Sequence, residues 1–189
     1  MASDSRDRMV RSAALLLRER GYAGTGFRDV IAHSEAPWGS IYHHFPGGKA
    51  QLAEEAVGYA GDVVTRLIEQ SPPDDPVATL RAFVTIWKQG LETSGYRAGC
   101  PVLAVATEAP DDLPALTDAA AAAFARWEEA LAASLRRAGV PRARARRLAT
   151  IVVAAIEGAV VLSRARRDTR PLDDVGKELE LAIQDALPH

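Results

Sequence analysis

The chain has 189 residues, 48% of them hydrophobic and 25% charged, which allows one large core or a small and a larger one and excludes a disordered polyelectrolyte. A formal net charge of −2 excludes a uniformly basic polyanion binder. The single cysteine, Cys100, excludes an internal disulfide and fits a reducing, cytoplasmic setting.

Residues 1–50 hold seven Lys/Arg and five Asp/Glu, net +2, and the remainder is net −4. That asymmetry suits an N-terminal surface facing phosphate. The N-terminal MASDSRDRMVRS lacks the apolar core of a signal peptide. Ile151 to Leu162 is the longest strongly apolar run, but it is twelve residues, contains Glu157 and is too short to span a bilayer. No membrane association is expected.

Strand patterns are nearly absent, and apolar residues recur with a helical period from end to end. The pattern predicts an all-α chain of about nine helices. The first covers about Asp4 to Arg20, burying Met9, Val10, Ala13, Leu16 and Leu17, with Gly21 placed as its C′ residue. A short second helix runs from Phe27 to His33, with Gly26 as N-cap and Asp29 at N3, close to a capping box. A third begins at Pro37 as N1 and ends near His43, before Pro46; Ile41 and Phe45 should point inward. The fourth runs from about Lys49 to Glu69, where SPPDDP breaks the chain. A fifth (Val77 to Thr93), a short sixth (Val102 to Thr107) and a long seventh through the alanine run (Ala115 to Ala138) follow. The eighth (Ala143 to Arg167) and ninth (Leu172 to Leu187) complete the chain.

The stretch EAPWGSIYHHFPGGK, Glu35 to Lys49, crowds aromatic and hydrogen-bonding side chains onto barely two turns. If Ile41 and Phe45 face the core, Trp38, Tyr42 and His43 face out. Gly39 lets the backbone approach a surface, Ser40 adds a small donor and acceptor, and the helix N-terminus favours phosphate. Two short helices joined by a tight turn, with a third behind, have the arithmetic of a helix-turn-helix whose second helix reads the major groove.

The segment ERGYAGTGFRDVIAHSEAPWGSIYHHFPGGKAQL, Glu19 to Leu52, resembles the DNA-binding region of the TetR family of transcriptional regulators. The wording APWGSIYHHFPGGK, with GCPV at 99–102 and EGAVVLSRARRDTRPL at 157–172, resembles the LmrA/YxaF-like branch. The resemblance implies a helix-turn-helix domain over 1–48 and a larger ligand-binding and dimerisation domain over 49–189. Ser40 and the exposed part of the third helix would read bases, and Thr25, Tyr42, His43 and Lys49 would mostly hold phosphates, with Arg28, Pro37, Trp38 and Gly39 also on the DNA-binding surface. Two positions depart from the pattern. Glu35 stands where the family usually has a turn glycine, so it has to adopt φ > 0 at a cost of about 1 kcal/mol. Trp38 stands where the branch usually carries Lys or Arg. It cannot pair with guanine as Arg does, but it can stack on sugar or touch a thymine methyl.

Other patterns have plainer readings. His43 and His44 point about 100° apart on a helix, and no third metal ligand follows at i+4. Gly47–Gly48–Lys49 lacks the earlier glycine and the Ser/Thr of a P-loop. Arg136, Arg137, Arg142, Arg144, Arg146 and Arg147 read as a solvated helix end or as a second nucleic-acid surface. Cys100 reads as a small buried hydrophobe or as a sensor thiol. Glu157 reads as a satisfied buried carboxylate or as the partner of a cationic ligand.

Phe83 and Trp87 lie four apart on the fifth helix, and Phe124 and Trp127 three apart on the seventh. Core packing explains such pairs, but the resemblance implies a cavity for a small hydrophobic effector. Phe83, Trp87, Cys100, Thr107, Phe124, Trp127 and Glu157 are its candidate lining. The eighth helix is apolar nearly all round, so it must be covered on more than one side. The resemblance implies a homodimer through the last two helices, with Ala155, Gly158 and Ala159 permitting close approach. The expectation is a repressor that binds a pseudo-palindromic operator in double-stranded DNA and is released by its effector. No cofactor, metal or catalytic group is expected. The competing readings are a helical small-molecule-binding protein or enzyme whose N-terminal helices are only structural, and a constitutive DNA binder with a filled core.

Overall fold

Alanine, leucine and arginine at helical period, punctuated by Gly and Pro, leave the backbone little alternative to helix. A computed structural model describes the backbone of residues 2–188 and the side chains of residues 5–188. Among these residues the chain forms nine helices and no strand. They are α1 (Ala2–Arg20), α2 (Phe27–Ser34), α3 (Ser40–His44), α4 (Gly48–Gln70), α5 (Pro76–Thr93), α6 (Pro101–Glu108), α7 (Pro114–Arg137), α8 (Arg142–Arg166) and α9 (Arg170–Gln184).

The ends follow local chemistry. Gly21 closes α1 at φ 73°, its N–H donating to Leu17 O at 3.0 Å. Asp29 accepts from the Gly26 N–H at 3.1 Å, half of a capping box, because glycine has no side chain to return the bond. Asp75 caps α5 by accepting from Ala78 N–H at 2.8 Å, and proline follows at N1.

The third helix starts later than the sequence suggests. Pro37 to Gly39 form a turn, with Gly39 at φ 92°, and the helix begins at Ser40. A proline, which needs no N–H partner, opens a turn as readily as it takes helix position N1. Here the Pro37 carbonyl accepts from Ser40 N–H at 3.2 Å.

The chain divides into two compact units. One takes in the chain up to Asp62 and again Cys100–Ala123; the other takes in Val63–Gly99 and the chain from Phe124 onward. In the first unit α1 packs on α2, α3 and α6. Met9, Leu17, Val30, Ile41, Phe45, Ala56 and Val57 fill its core. Fully burying one such Ile or Phe side chain contributes about 1.5–3 kcal/mol, which fixes the short α3 against its neighbours. Arg6 of α1 spans to α4, bonding Glu55 at 2.7 Å and lying 5.3 Å from the Phe45 ring centroid.

In the second unit α5, α8 and α9 pack together. Leu80, Phe83, Trp127, Leu148, Ile156, Leu172 and Ile183 are buried there. Arg81 grips Glu180 of α9 with two bonds, 2.8 and 2.7 Å, and Lys88 reaches Asp173 at 2.6 Å. By length and hydropathy alone α8 is able to cross a bilayer, but half of that window is buried within the protein, as in a core helix.

Candidate nucleic-acid interface

In the first unit the loop and short helix α3 carry an exposed aromatic pair. Trp38 is 68% exposed and Tyr42 63%, while Ile41 between them is fully buried. The alternation follows from helix geometry: anchoring Ile41 and Phe45 turns Tyr42 and His43 outward. The Tyr42 ring meets Phe27 edge-on, centroids 5.4 Å apart, which fixes its direction and leaves its hydroxyl end open. Ser40 donates to Pro37 O at 2.6 Å and retains its acceptor lone pairs.

Arg28, Pro37, Trp38, Gly39, Tyr42 and His43 are exposed, and Ser40 and Lys49 half-exposed. An added Cβ at Gly39 would meet nothing within 4 Å, so the backbone there is open to a large flat partner. Thr25 stands apart from this group. It is buried, and its hydroxyl donates to Gly21 O at 2.8 Å, closing the loop after α1.

Lys49, near the start of α4, lies 4.3 Å from the Tyr22 ring centroid and donates to Ala23 O at 3.4 Å. Partial burial pushes its ammonium below the ordinary lysine range, while the Glu108 carboxylate opposes that shift. Glu108, at the end of α6, accepts from the backbone N–H of Tyr22 at 2.8 Å and of Ala23 at 3.3 Å. Sequence reasoning missed Glu108. No local signal could have found it, because its partners lie 86 and 85 residues away.

Glu35 adopts φ 53°, ψ 33° as the C-cap of α2, the left-handed conformation its position requires. We expect Glu35→Gly to raise stability by about 0.5–1 kcal/mol, since glycine takes φ > 0 without the Cβ penalty. A rise in the urea midpoint at unchanged m would register it; an unchanged or lower midpoint would show that the turn carries no strain.

In the second unit Phe83, Trp87, Phe124 and Trp127 form one edge-to-face cluster, with centroid separations from 5.3 to 6.3 Å. Phe83 and Trp127 are 0% exposed and so are packed on every side. Trp87 retains 8%, and its buried indole N–H has no acceptor; Phe124 is half-buried. Glu157 is buried in α8. Cys100 and Thr107 belong to the first unit. Cys100 is buried as the N-cap of α6, its Sγ accepting from Leu103 N–H at 3.4 Å. Thr107 is exposed and donates back to Leu103 O at 2.9 Å.

The arginines of the basic cluster have different partners. Arg136 pairs with Glu129 at 2.7 Å, Arg137 donates to Pro73 O at 3.0 Å, and Arg146 and Arg147 line an open groove with Glu128, Thr150 and Ile151. Among the described residues no group of three or more His, Cys, Asp or Glu is placed to hold a metal.

Residues 10–56 match the family model described as bacterial regulatory proteins, tetR family. Residues 76–178 match the model described as transcriptional regulator LmrA/YxaF-like, C-terminal domain. The chain is 43% identical over 188 residues to the HTH-type transcriptional regulator Rv0196 of Mycobacterium tuberculosis, covering 97% of this chain and 96% of that one. It is 34% identical over 171 residues to the HTH-type transcriptional regulator LmrA of Bacillus subtilis, covering 89% and 91%. Its fold is similar to the crystal structure of a TetR transcriptional regulator from Chloroflexus aurantiacus, with TM-score 0.78 and 30% identity over 98% of this chain and 97% of that one. A regulatory protein TetR from Rhodobacter sphaeroides shares the fold at TM-score 0.81 and 24% identity, covering 94% and 98%.

Proposed function

Because the chain belongs to the TetR family of bacterial transcriptional regulators, in its LmrA/YxaF-like branch, we propose that it is a cytoplasmic repressor that binds a pseudo-palindromic operator as a homodimer and is released by a small hydrophobic effector. The observation that carries this reading is the exposed Trp38–Tyr42 face, held rigid by the buried Ile41 and Phe45 beneath it. Large aromatics kept in water on a turn and the short helix after it cost hydrophobic free energy, which a flat partner surface recovers. In the major groove Trp38 would meet a thymine methyl or sugar, and Ser40 a base edge. Arg28, Tyr42, His43 and Lys49 would hold phosphate and fix register. Thr25 would act through its loop, since its hydroxyl is already engaged.

The division of labour proposed is a head over 1–48 and a sensing and dimerising part over 49–189. The effector site would use the less completely buried members of the aromatic cluster, Trp87 and Phe124, with Phe83 and Trp127 as the rigid frame behind them. Trp87 offers its indole N–H to an acceptor on the effector. Glu157 remains a candidate for its polar rim, while Cys100 and Thr107 belong to the other unit. An effector that favours a conformation with misplaced heads needs a coupling of only about 1–3 kcal/mol, enough for a roughly 5–150-fold loss of affinity. The continuous helix α4 would carry that shift.

DNA selected from a random pool supplies the operator, and variants then sort the roles. Lys49→Ala should weaken binding to every duplex alike and reduce the slope of log K against log salt by about 0.9 for each phosphate no longer neutralised. Trp38→Ala should instead change which sequences are selected. If both variants bind and select as the wild type does, the face is misassigned.

A further inference from the structure

Lys49 is not positioned by its own helix alone. Its ammonium sits over the Tyr22 ring and beside Ala23 O, so it goes wherever the loop after α1 goes. That loop is held from far along the chain. One oxygen of Glu108, Oε2, takes both the Tyr22 and the Ala23 N–H groups. A carboxylate accepting two backbone N–H bonds is among the stronger polar contacts a surface loop can make. Gly21 leaves the room: a Cβ there would stand 2.3 Å from Glu108 Oε1. At φ 73° the same glycine turns the next two N–H groups toward the carboxylate. The helix carrying Glu108, α6, packs on α1 and belongs to the same compact unit as α1 to α3.

We propose that Glu108 is a positioning residue for DNA binding: it latches the Tyr22–Ala23 loop to the end of α6 and thereby sets Lys49 for its phosphate. The inference rests on the DNA-binding reading above and adds to it a second line of control. α6 grips the reading head directly, whatever α4 transmits. A displacement of α6 that withdrew Glu108 would free the loop and, with it, the lysine.

Removing the carboxylate also removes a negative charge near DNA, which by itself favours binding. The test therefore compares two charge-matched variants. Glu108→Gln keeps an amide oxygen where Oε2 stands; Glu108→Ala leaves both N–H groups without their acceptor. On a mixed-sequence duplex at low ionic strength, Glu108→Gln should bind at least as tightly as the wild type. Glu108→Ala should bind roughly three- to tenfold more weakly than Glu108→Gln. In the free protein the Tyr22 and Ala23 amides should exchange with solvent faster in Glu108→Ala than in Glu108→Gln. Adding Lys49→Ala to Glu108→Ala should cost less than Lys49→Ala alone, because the two act on the same phosphate. A merely stabilising role for Glu108 would instead give additive losses. Equal binding by the Ala and Gln variants overturns the inference and leaves DNA binding standing. Failure of the wild type to bind any duplex overturns the DNA-binding reading and this inference with it.

Discussion

Trp127→Ala should destabilise the second unit by about 3–5 kcal/mol, the range for emptying a large aromatic site in a packed core. Trp127 is fully buried on α7 and meets Phe83, Trp87 and Phe124 edge to face at 6.2, 6.3 and 5.3 Å. Each such pair contributes about 0.5–1.5 kcal/mol beyond area burial, and the substitution removes all of them together. For a chain of this size the change corresponds to a fall in melting temperature on the order of 10 °C. Guanidinium titration should show a lower midpoint. Phe124→Ala, at a half-buried position, should cost clearly less. Were Trp127→Ala as stable as the wild type, these rings would not be the frame of the unit. The consequence for function is an order of experiments. An induction defect in Trp127→Ala would report a damaged framework as much as a missing effector partner, so Trp87→Phe, which removes the unpartnered N–H and keeps a ring, is the cleaner probe of the site.

The helices were readable because their causes are local. Gly21 as the stop of α1, Asp29 behind Gly26, and Ile41 with Phe45 turned inward follow from spacing and residue chemistry alone. The start of α3 was not, because a proline at Pro37 serves a turn and a helix start equally well until the position of Gly39 decides between them. The strain at Glu35 was readable only through the family resemblance, which marks the position as one built for glycine. Spacing turned Phe83, Trp87, Phe124 and Trp127 inward, but it could not rank their burial, which is complete for Phe83 and Trp127, nearly so for Trp87 and partial for Phe124. Ala159, expected on a partner-facing side of α8, is buried, and the open side carries Ala154 and Gly158. A helix apolar all round gives no moment from which to choose a face. Glu108 was out of reach for another reason: nothing near it in sequence needs a carboxylate, and the loop that does is on another helix.

That open side of α8 supplies the second large effect. Ile151, Ala154, Gly158, Val161 and Leu162 are exposed at spacings of three, four, three and one, a continuous stripe down the helix. On α9, braced against α5 by the Arg81–Glu180 and Lys88–Asp173 pairs, Leu181 is also exposed. If these surfaces form the twofold interface, each residue near the axis faces its own copy, and one substitution acts twice. Val161→Glu would then place two like charges opposite each other in apolar surroundings, with no partner for either. We expect the protein to change from dimer to monomer at micromolar concentration, measured by light scattering after gel filtration. Because Val161 is outside the core, the helical content should hold. Affinity for an operator with two half-sites should fall steeply, since one head forfeits the effective concentration that the other supplies. Affinity for a single half-site should be unchanged, which separates failed pairing from a damaged head. Retention of the dimer by Val161→Glu would place the interface elsewhere on the chain, and the spacing of the two heads would have to be sought from that other surface.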